Sequence, residues 1–228
     1  MAESCLLYYI TDRRAFSADE PTRRKSLLKK IEEVTRAGVD YIQLREKDLR
    51  TRDLESLARE AVAILNQLRT ENRELRTKLV INSRADVALA AGVDGVHLRS
   101  DDISPRDVKE IWKECGQRTP AWFSQQKPLI GVSCHSSEDV KQAEANGATF
   151  AVFAPVFEKK NVPRAQPTGL DRLREACAAR IPVLALGGVT LENTRQCLQA
   201  GAAGIAAIRL FQEHDVAKLL NTLGRITR

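Results

Sequence analysis

Ala37-Gly38-Val39-Asp40-Tyr41-Ile42-Gln43-Leu44 decides the fold, because the chain repeats its pattern three more times. Ala91-Gly92-Val93-Asp94 leads into Gly95-Val96-His97-Leu98, and Asn146-Gly147-Ala148-Thr149 into Phe150-Ala151-Val152-Phe153. Ala200-Gly201-Ala202-Ala203 leads into Gly204-Ile205-Ala206-Ala207-Ile208. The four glycines lie 54, 55 and 54 residues apart. Each stands where a helical pattern stops and a short apolar run starts, the place where a left-handed glycine ends a helix.

Between the repeated runs lie four more: Leu6–Ile10, Leu79–Ile81, Leu129–Val132 and Pro182–Leu186. All eight are short and apolar, as strands covered on both faces are. Amphipathic stretches separate them at Thr22–Ala37, Asp53–Leu68, Ala85–Ala91, Pro105–Glu114, Ser137–Asn146, Leu170–Ala179, Leu191–Ala200 and Val216–Ile226. Alternation of this kind predicts a parallel sheet with helical crossovers. A period of 54 residues is two strand–helix units, so four copies make eight, and the unbroken repeat leaves no switch point for an open sheet. The expectation is a (β/α)8 barrel, one domain over residues 1–228, with a polar loop at Gly116–Lys127.

Composition narrows the function classes. Lysine and arginine outnumber aspartate and glutamate 36 to 30, giving +6, which favours anionic ligands. The basic residues are interleaved with acids, as in 69–78 and 22–33, and aromatics are only 5% of the chain, so no nucleic-acid partner is expected. No apolar run spans a bilayer, and the start Met1-Ala2-Glu3-Ser4-Cys5 lacks a signal-peptide pattern. Five cysteines without a CxxC pair suit reduced thiols. A soluble, cytoplasmic protein is expected; dimers and trimers are both compatible with the sequence.

In such barrels the site lies at the C-terminal strand ends. There the chain places Gln43, Arg45, Glu46, Lys47 and Asp48 after the second strand, then Asn82, Ser83 and Arg84 after the third. Arg99, Ser100, Asp101 and Asp102 follow the fourth, and Ser133, Cys134 and His135 the fifth. Glu158, Lys159, Lys160 and Asn161 follow the sixth, Gly187-Gly188 end the seventh, and Arg209 follows the eighth. Cations, a carboxylate pair beside Asn82 that offers oxygen ligands to Mg2+, and a Gly-Gly turn at a helix start that offers N–H groups together suit a pyrophosphorylated or doubly phosphorylated substrate. Taken alone, Asp102 also reads as a helix N-cap region residue and Gly187-Gly188 as a reversal. His97 reads as structural, Cys134 as packing, and His135 as a ligand or proton-transfer group.

The stretches Gln43–Asp48, Leu79–Arg84 with Asp86, Gly95–Leu98 with Asp102, Gly131–Ser136 and Ala185–Val189 resemble the thiamine phosphate synthase/thiazole tautomerase (TenI-type) superfamily, from Tyr9 to Phe211. The resemblance implies a Mg2+-dependent synthase joining hydroxymethylpyrimidine pyrophosphate to thiazole phosphate, giving thiamine phosphate and pyrophosphate. It further implies that Gln43, Arg45 and Lys47 contact the pyrimidine pyrophosphate, Asn82 its phosphates and Ser133 the pyrimidine. Asp102 holds the metal, and Gly188, with Gly187 in the same turn, receives the thiazole phosphate.

The chain departs from that pattern at several places. Ser83 stands where the synthases carry an aspartate as second metal ligand, leaving Asp101 to compensate. Arg99-Ser100 replaces Gly-Gln. Lys159 and Lys160 lie near the place of a missing loop lysine, and Arg209 stands where a serine holds the thiazole phosphate. The alternatives are an aminothiazole tautomerase, an isomerase using His135, or a non-catalytic ligand-binding relative. Lys47 and Asp102 favour the synthase.

Overall fold

The computed structural model describes residues 5–16, 19–116, 127–158 and 166–227. Its strands are β1 (Leu6–Ile10), β2 (Tyr41–Leu44), β3 (Lys78–Asn82), β4 (Gly95–Leu98), β5 (Leu129–Cys134), β6 (Phe150–Phe153), β7 (Val183–Ala185) and β8 (Gly204–Ala207). They hydrogen-bond in chain order and close into a barrel, the (β/α)8 arrangement expected from the repeat. The helices are α1 (Glu20–Arg36), α2 (Thr51–Glu71), α3 (Ala85–Ala91), α4 (Pro105–Gly116), α5 (Ser137–Ala145), α6 (Gly169–Ala176), α7 (Leu191–Gln199), α8 (Arg209–Gln212) and α9 (Val216–Thr227). Two elements were not expected: α8 and a 3-10 turn at Arg13–Ala15. At four and three residues they are too short to leave a periodic apolar pattern. Of the loop expected at Gly116–Lys127, residues 117–126 lie outside the described residues.

The chain divides into two compact units, residues 10–130 and residues 1–9 with 131–228. In the first, β2, β3 and β4 pair in parallel, Ile42 opposite Leu79 and Ile81 opposite Val96. Helix α2 buries Leu54, Leu57, Ala58, Ala61, Leu65 and Leu68, a three-and-four spacing that forms one apolar stripe. Each buried leucine contributes about 1.5–3 kcal/mol. At the N-terminal edge the Asp94 carboxylate accepts from the Leu79 N–H at 2.9 Å, Lys78 Nζ at 2.8 Å and Arg69 Nη2 at 3.2 Å. One repeat residue thereby ties β3 to the start of β4.

In the second unit β1 pairs with β8, Tyr8 opposite Ala206, and β5 through β8 continue the ladder. Tyr8 meets Phe150 edge to face, with centroids 5.4 Å apart, a favourable aromatic geometry. The four repeat glycines all have positive φ, from 68° at Gly92 to 99° at Gly201, so each ends its helix in the left-handed conformation that the spacing predicted.

Candidate active site

The loop after β2 is built by a buried ion cluster. Glu46 is buried, and its Oε1 accepts from the Thr11 hydroxyl at 2.5 Å. The Arg13 N–H reaches both carboxylate oxygens at 3.2 and 3.1 Å, and Arg13 Nη1 reaches Oε2 at 3.1 Å. Arg13, itself buried, also grips Asp48 through both terminal nitrogens, at 2.7 and 3.0 Å, and Glu20 through Nε at 2.6 Å. Burial pushes the Glu46 carboxyl up, while the Thr11 and Arg13 donors pull it back. Arg13 holds the Asp48 carboxyl below its ordinary range. The Thr11 oxygen accepts from the Arg45 N–H at 3.0 Å, so the cluster fixes the backbone that carries Arg45.

Within Arg45-Glu46-Lys47-Asp48 the two acids are thus consumed by Arg13. The side chains of Arg45 and Lys47 have no hydrogen-bond or ion-pair partner among the described residues. With Asp12, Arg14, Ala15, Glu46 and Asp48 they line a cavity of about 400 Å3. Arg45, then burial, then Arg99 hold the Lys47 ammonium below its usual range. Cations kept together without counterions are stabilised by an incoming anion.

At the ends of β2 and β3, buried Gln43 donates from Nε2 to Asn82 Oδ1 at 2.8 Å, and Asn82 Nδ2 donates to the Ser83 hydroxyl at 3.1 Å. Among the described residues Ser83 alone of the non-glycines has positive φ, at 60°. Its N–H donates to the His97 carbonyl at 2.8 Å. Asn and Asp adopt that conformation more readily than Ser. His97 is buried in β4, and burial, then Arg45, hold its pKa down to about 3. It is a neutral residue of the strand, as expected.

After β4, Asp102 does not act as the helix cap that one reading suggested. Ser104 and Asp107 perform that task, Asp107 N–H to Ser104 Oγ at 3.2 Å and Ser104 N–H to Asp107 Oδ2 at 3.1 Å. The capping pair needs the two residues three apart around the first turn, and Asp102 lies too early for α4. Its carboxylate instead accepts from the Arg99 N–H at 2.7 Å, and Arg99 Nη2 lies 3.1 Å from Asp101 and 3.5 Å from Asp102.

In the other unit Ser133 and Cys134 lie in β5 itself, which runs two residues longer than expected. Cys134 is buried, and burial pushes its thiol up to about 12, consistent with packing. The His135 N–H donates to Asp139 Oδ2 at 2.8 Å, and its ring Nδ1 lies 2.7 Å from the Ala154 carbonyl oxygen. A carbonyl only accepts, so Nδ1 is the donor in this contact. Gly187 and Gly188 have φ of 95° and 66°. They form the expected turn, but α7 begins only at Leu191, and the Thr190 N–H is taken by Asn193 Oδ1 at 2.8 Å. At Gly188 a Cβ would lie 2.5 Å from the Glu158 carbonyl oxygen, so no side chain fits there. Arg209 opens α8 and is exposed. Lys159 and Lys160 lie outside the described residues.

Among the described residues no three His, Cys, Asp or Glu side chains gather as a metal cage. Mg2+ commonly keeps water and takes one or two carboxylates plus substrate phosphates. Asp102, its side chain 13% exposed, fits that manner of binding. The exposed Asp101 is engaged by Arg99, and the Ser83 hydroxyl adds at most a neutral oxygen.

Sequence reasoning missed Thr11 and Arg13. Thr11-Asp12-Arg13 follows β1 directly, at a strand end where site residues are sought, but its pairing with Glu46 is a tertiary contact that no local pattern announces.

The family described as thiamine monophosphate synthase matches the chain over residues 7–211. A thiamine-phosphate synthase of Roseiflexus castenholzii is 36% identical over 205 residues, 89% of this chain and 79% of its own. One from Clostridium acetobutylicum is 32% identical, covering 89% and 84% respectively. The solved structure of a thiamine phosphate pyrophosphorylase from Pyrococcus furiosus aligns with a TM-score of 0.73 at 29% identity, over 99% of this chain and 96% of that one. No helix among the described residues is long and apolar enough to cross a membrane.

Proposed function

The chain belongs to the thiamine monophosphate synthase family, and we propose how its residues divide the work of joining hydroxymethylpyrimidine pyrophosphate to thiazole phosphate. It is a transferase of thiamine biosynthesis acting on small phosphorylated substrates, and we place it in the cytoplasm. The observation that carries the division of roles is the pair of uncompensated cations, Arg45 and Lys47, held beside a cavity by the Arg13–Glu46–Asp48 cluster.

In the transfer the bond from the pyrimidine methylene carbon to the pyrophosphate oxygen breaks, and pyrophosphate leaves with the electron pair. The thiazole nitrogen then donates its lone pair to that carbon. Charge accumulates on the leaving group, and preorganised cations there stabilise the transition state more than the ground state. Arg45 and Lys47 supply that charge. Asn82, oriented by Gln43, offers its amide to the phosphates, and Asp102 would hold Mg2+. When bound, the ion neutralises negative charge on the departing pyrophosphate. In the other unit the Gly187-Gly188 turn and Arg209 receive the thiazole phosphate. To Ser133 and His135 we assign contacts with the pyrimidine.

The test is a coupling assay with both substrates, with and without Mg2+, reading thiamine phosphate. Mg2+-dependent product that falls by at least about 100-fold in Lys47→Gln and in Asp102→Ala is expected. Metal-independent turnover, or full activity in Lys47→Gln, refutes these roles. Thiazole tautomerisation that is lost in His135→Asn and untouched in Asp102→Ala would point to the isomerase instead.

A further inference from the structure

We propose that Arg99 is a pyrophosphate-contacting residue, held in the free chain by Asp101 and Asp102 and released from them toward the anion. The inference rests on the transferase reading above. The guanidinium uses only Nη2 for its carboxylates, at 3.1 Å to Asp101 and 3.5 Å to Asp102. Nε and Nη1 have no acceptor among the described residues. An arginine carries five N–H donors in a planar fork, which matches phosphate oxygens two at a time. Here most of the fork is unspent, and the side chain is half exposed.

Its location adds a second argument. Arg99 is one of the charges that depress the Lys47 ammonium, alongside Arg45. Three cations that follow β2 and β4 therefore act on one region, and among the described residues only Arg99 of the three has a counterion. Asp101 is the more exposed of its two partners, with 69% of its side chain open. Ion pairs that open to water are weak, so a pyrophosphate can take Arg99 from Asp101 at little expense. The Asp102 carboxylate keeps its bond from the Arg99 N–H at 2.7 Å when the side chain swings away. The exchange thus leaves the turn intact and frees one carboxylate face of Asp102.

The experiment titrates the full-length protein with inorganic pyrophosphate in a calorimeter, without added metal. Arg99→Gln should weaken binding about tenfold, as loss of one charge-assisted contact does. Asp101→Asn, which frees the guanidinium, should tighten binding about threefold. That gain should vanish when Asp101→Asn is made in the Arg99→Gln background, because the carboxylate would act through the arginine. A general electrostatic effect of Asp101 would persist in that background and overturn the proposal. Unchanged binding in Arg99→Gln, with Lys47→Gln weakened, would also overturn it and leave the transferase reading standing. If the wild-type chain takes up no pyrophosphate without metal, the proposal falls, and the Mg2+-dependent coupling assay decides the transferase reading separately. Should Arg99→Gln fail to fold, Arg99→Ala takes its place in both arms: weaker binding and a lost Asp101→Asn gain support the proposal, and unchanged binding or a persisting gain refutes it.

Discussion

Replacing His97 by glutamine should remove much of the acid sensitivity of this fold. His97 is buried in β4, and burial, reinforced by Arg45, lowers its pKa from 6.5 to about 3. The unfolded chain takes up a proton on this imidazole once the pH drops below 6.5, whereas the folded chain refuses it until about 3. Protons therefore favour the unfolded state throughout that window, and stability rises with pH across it. Each pH unit is worth about 1.4 kcal/mol per proton. Relative to pH 7 the loss from His97 alone is about 2 kcal/mol at pH 5 and about 3 kcal/mol at pH 4, on the order of a fifth or more of a typical domain's stability. Urea unfolding at pH 7, 6, 5 and 4 measures this directly. The wild type should lose stability steeply, and His97→Gln, whatever its stability at pH 7, should lose about 2 kcal/mol less between pH 7 and 5. Parallel curves for the two proteins would mean that the imidazole is solvated or charged in the fold, and would refute the reasoning.

Arg13→Met strands the buried Glu46 carboxylate and should destabilise the chain by about 3–5 kcal/mol while lowering kcat/KM, read by urea unfolding and the coupling assay. Because burial already raises Glu46, the folded variant gains a proton before the unfolded chain does. Its deficit against the wild type should shrink as the pH falls toward the ordinary carboxylate range, and a pH-independent deficit would argue against a stranded charge. Gly188→Ala puts a methyl 2.5 Å from the Glu158 carbonyl oxygen at a φ of +66°; thiazole phosphate affinity should drop at least about tenfold, and unchanged affinity would remove the turn from the site. Burial pushes the thiols of Cys134, Cys177 and Cys197 up to about 12, 11 and 11, so iodoacetamide at pH 8 should spare all three in the folded chain. Their rapid alkylation, mapped by mass spectrometry, would contradict that.

The architecture was legible because it is written locally and four times over. Gly38, Gly92, Gly147 and Gly201 each end a helix with positive φ, and a residue without a Cβ at that place is a signal that needs no tertiary context. The strands that follow them begin where the pattern said, at Tyr41, Gly95, Phe150 and Gly204, since a short apolar run bounded by a terminating glycine has few other uses. The rim residues were legible for the same reason, as those next along the chain after each strand.

What the sequence could not carry was the pairing among those residues. Arg45, Glu46, Lys47 and Asp48 are four charged neighbours of alternating sign, and nothing local distinguishes a self-neutralising loop from one that presents its cations. Arg13, 33 residues from Glu46 and brought beside it by the fold, makes that decision by taking both acids. The same holds at Arg99, whose guanidinium faces Asp101 and Asp102 rather than solvent alone, and at Asp102, displaced from the helix cap by Ser104 and Asp107. Backbone geometry follows from short-range sterics and the apolar period, so the sequence by itself determined the barrel. Charge partnership depends on distances between strand ends far apart along the chain, so only the tertiary structure decided which cations are free to meet an anion.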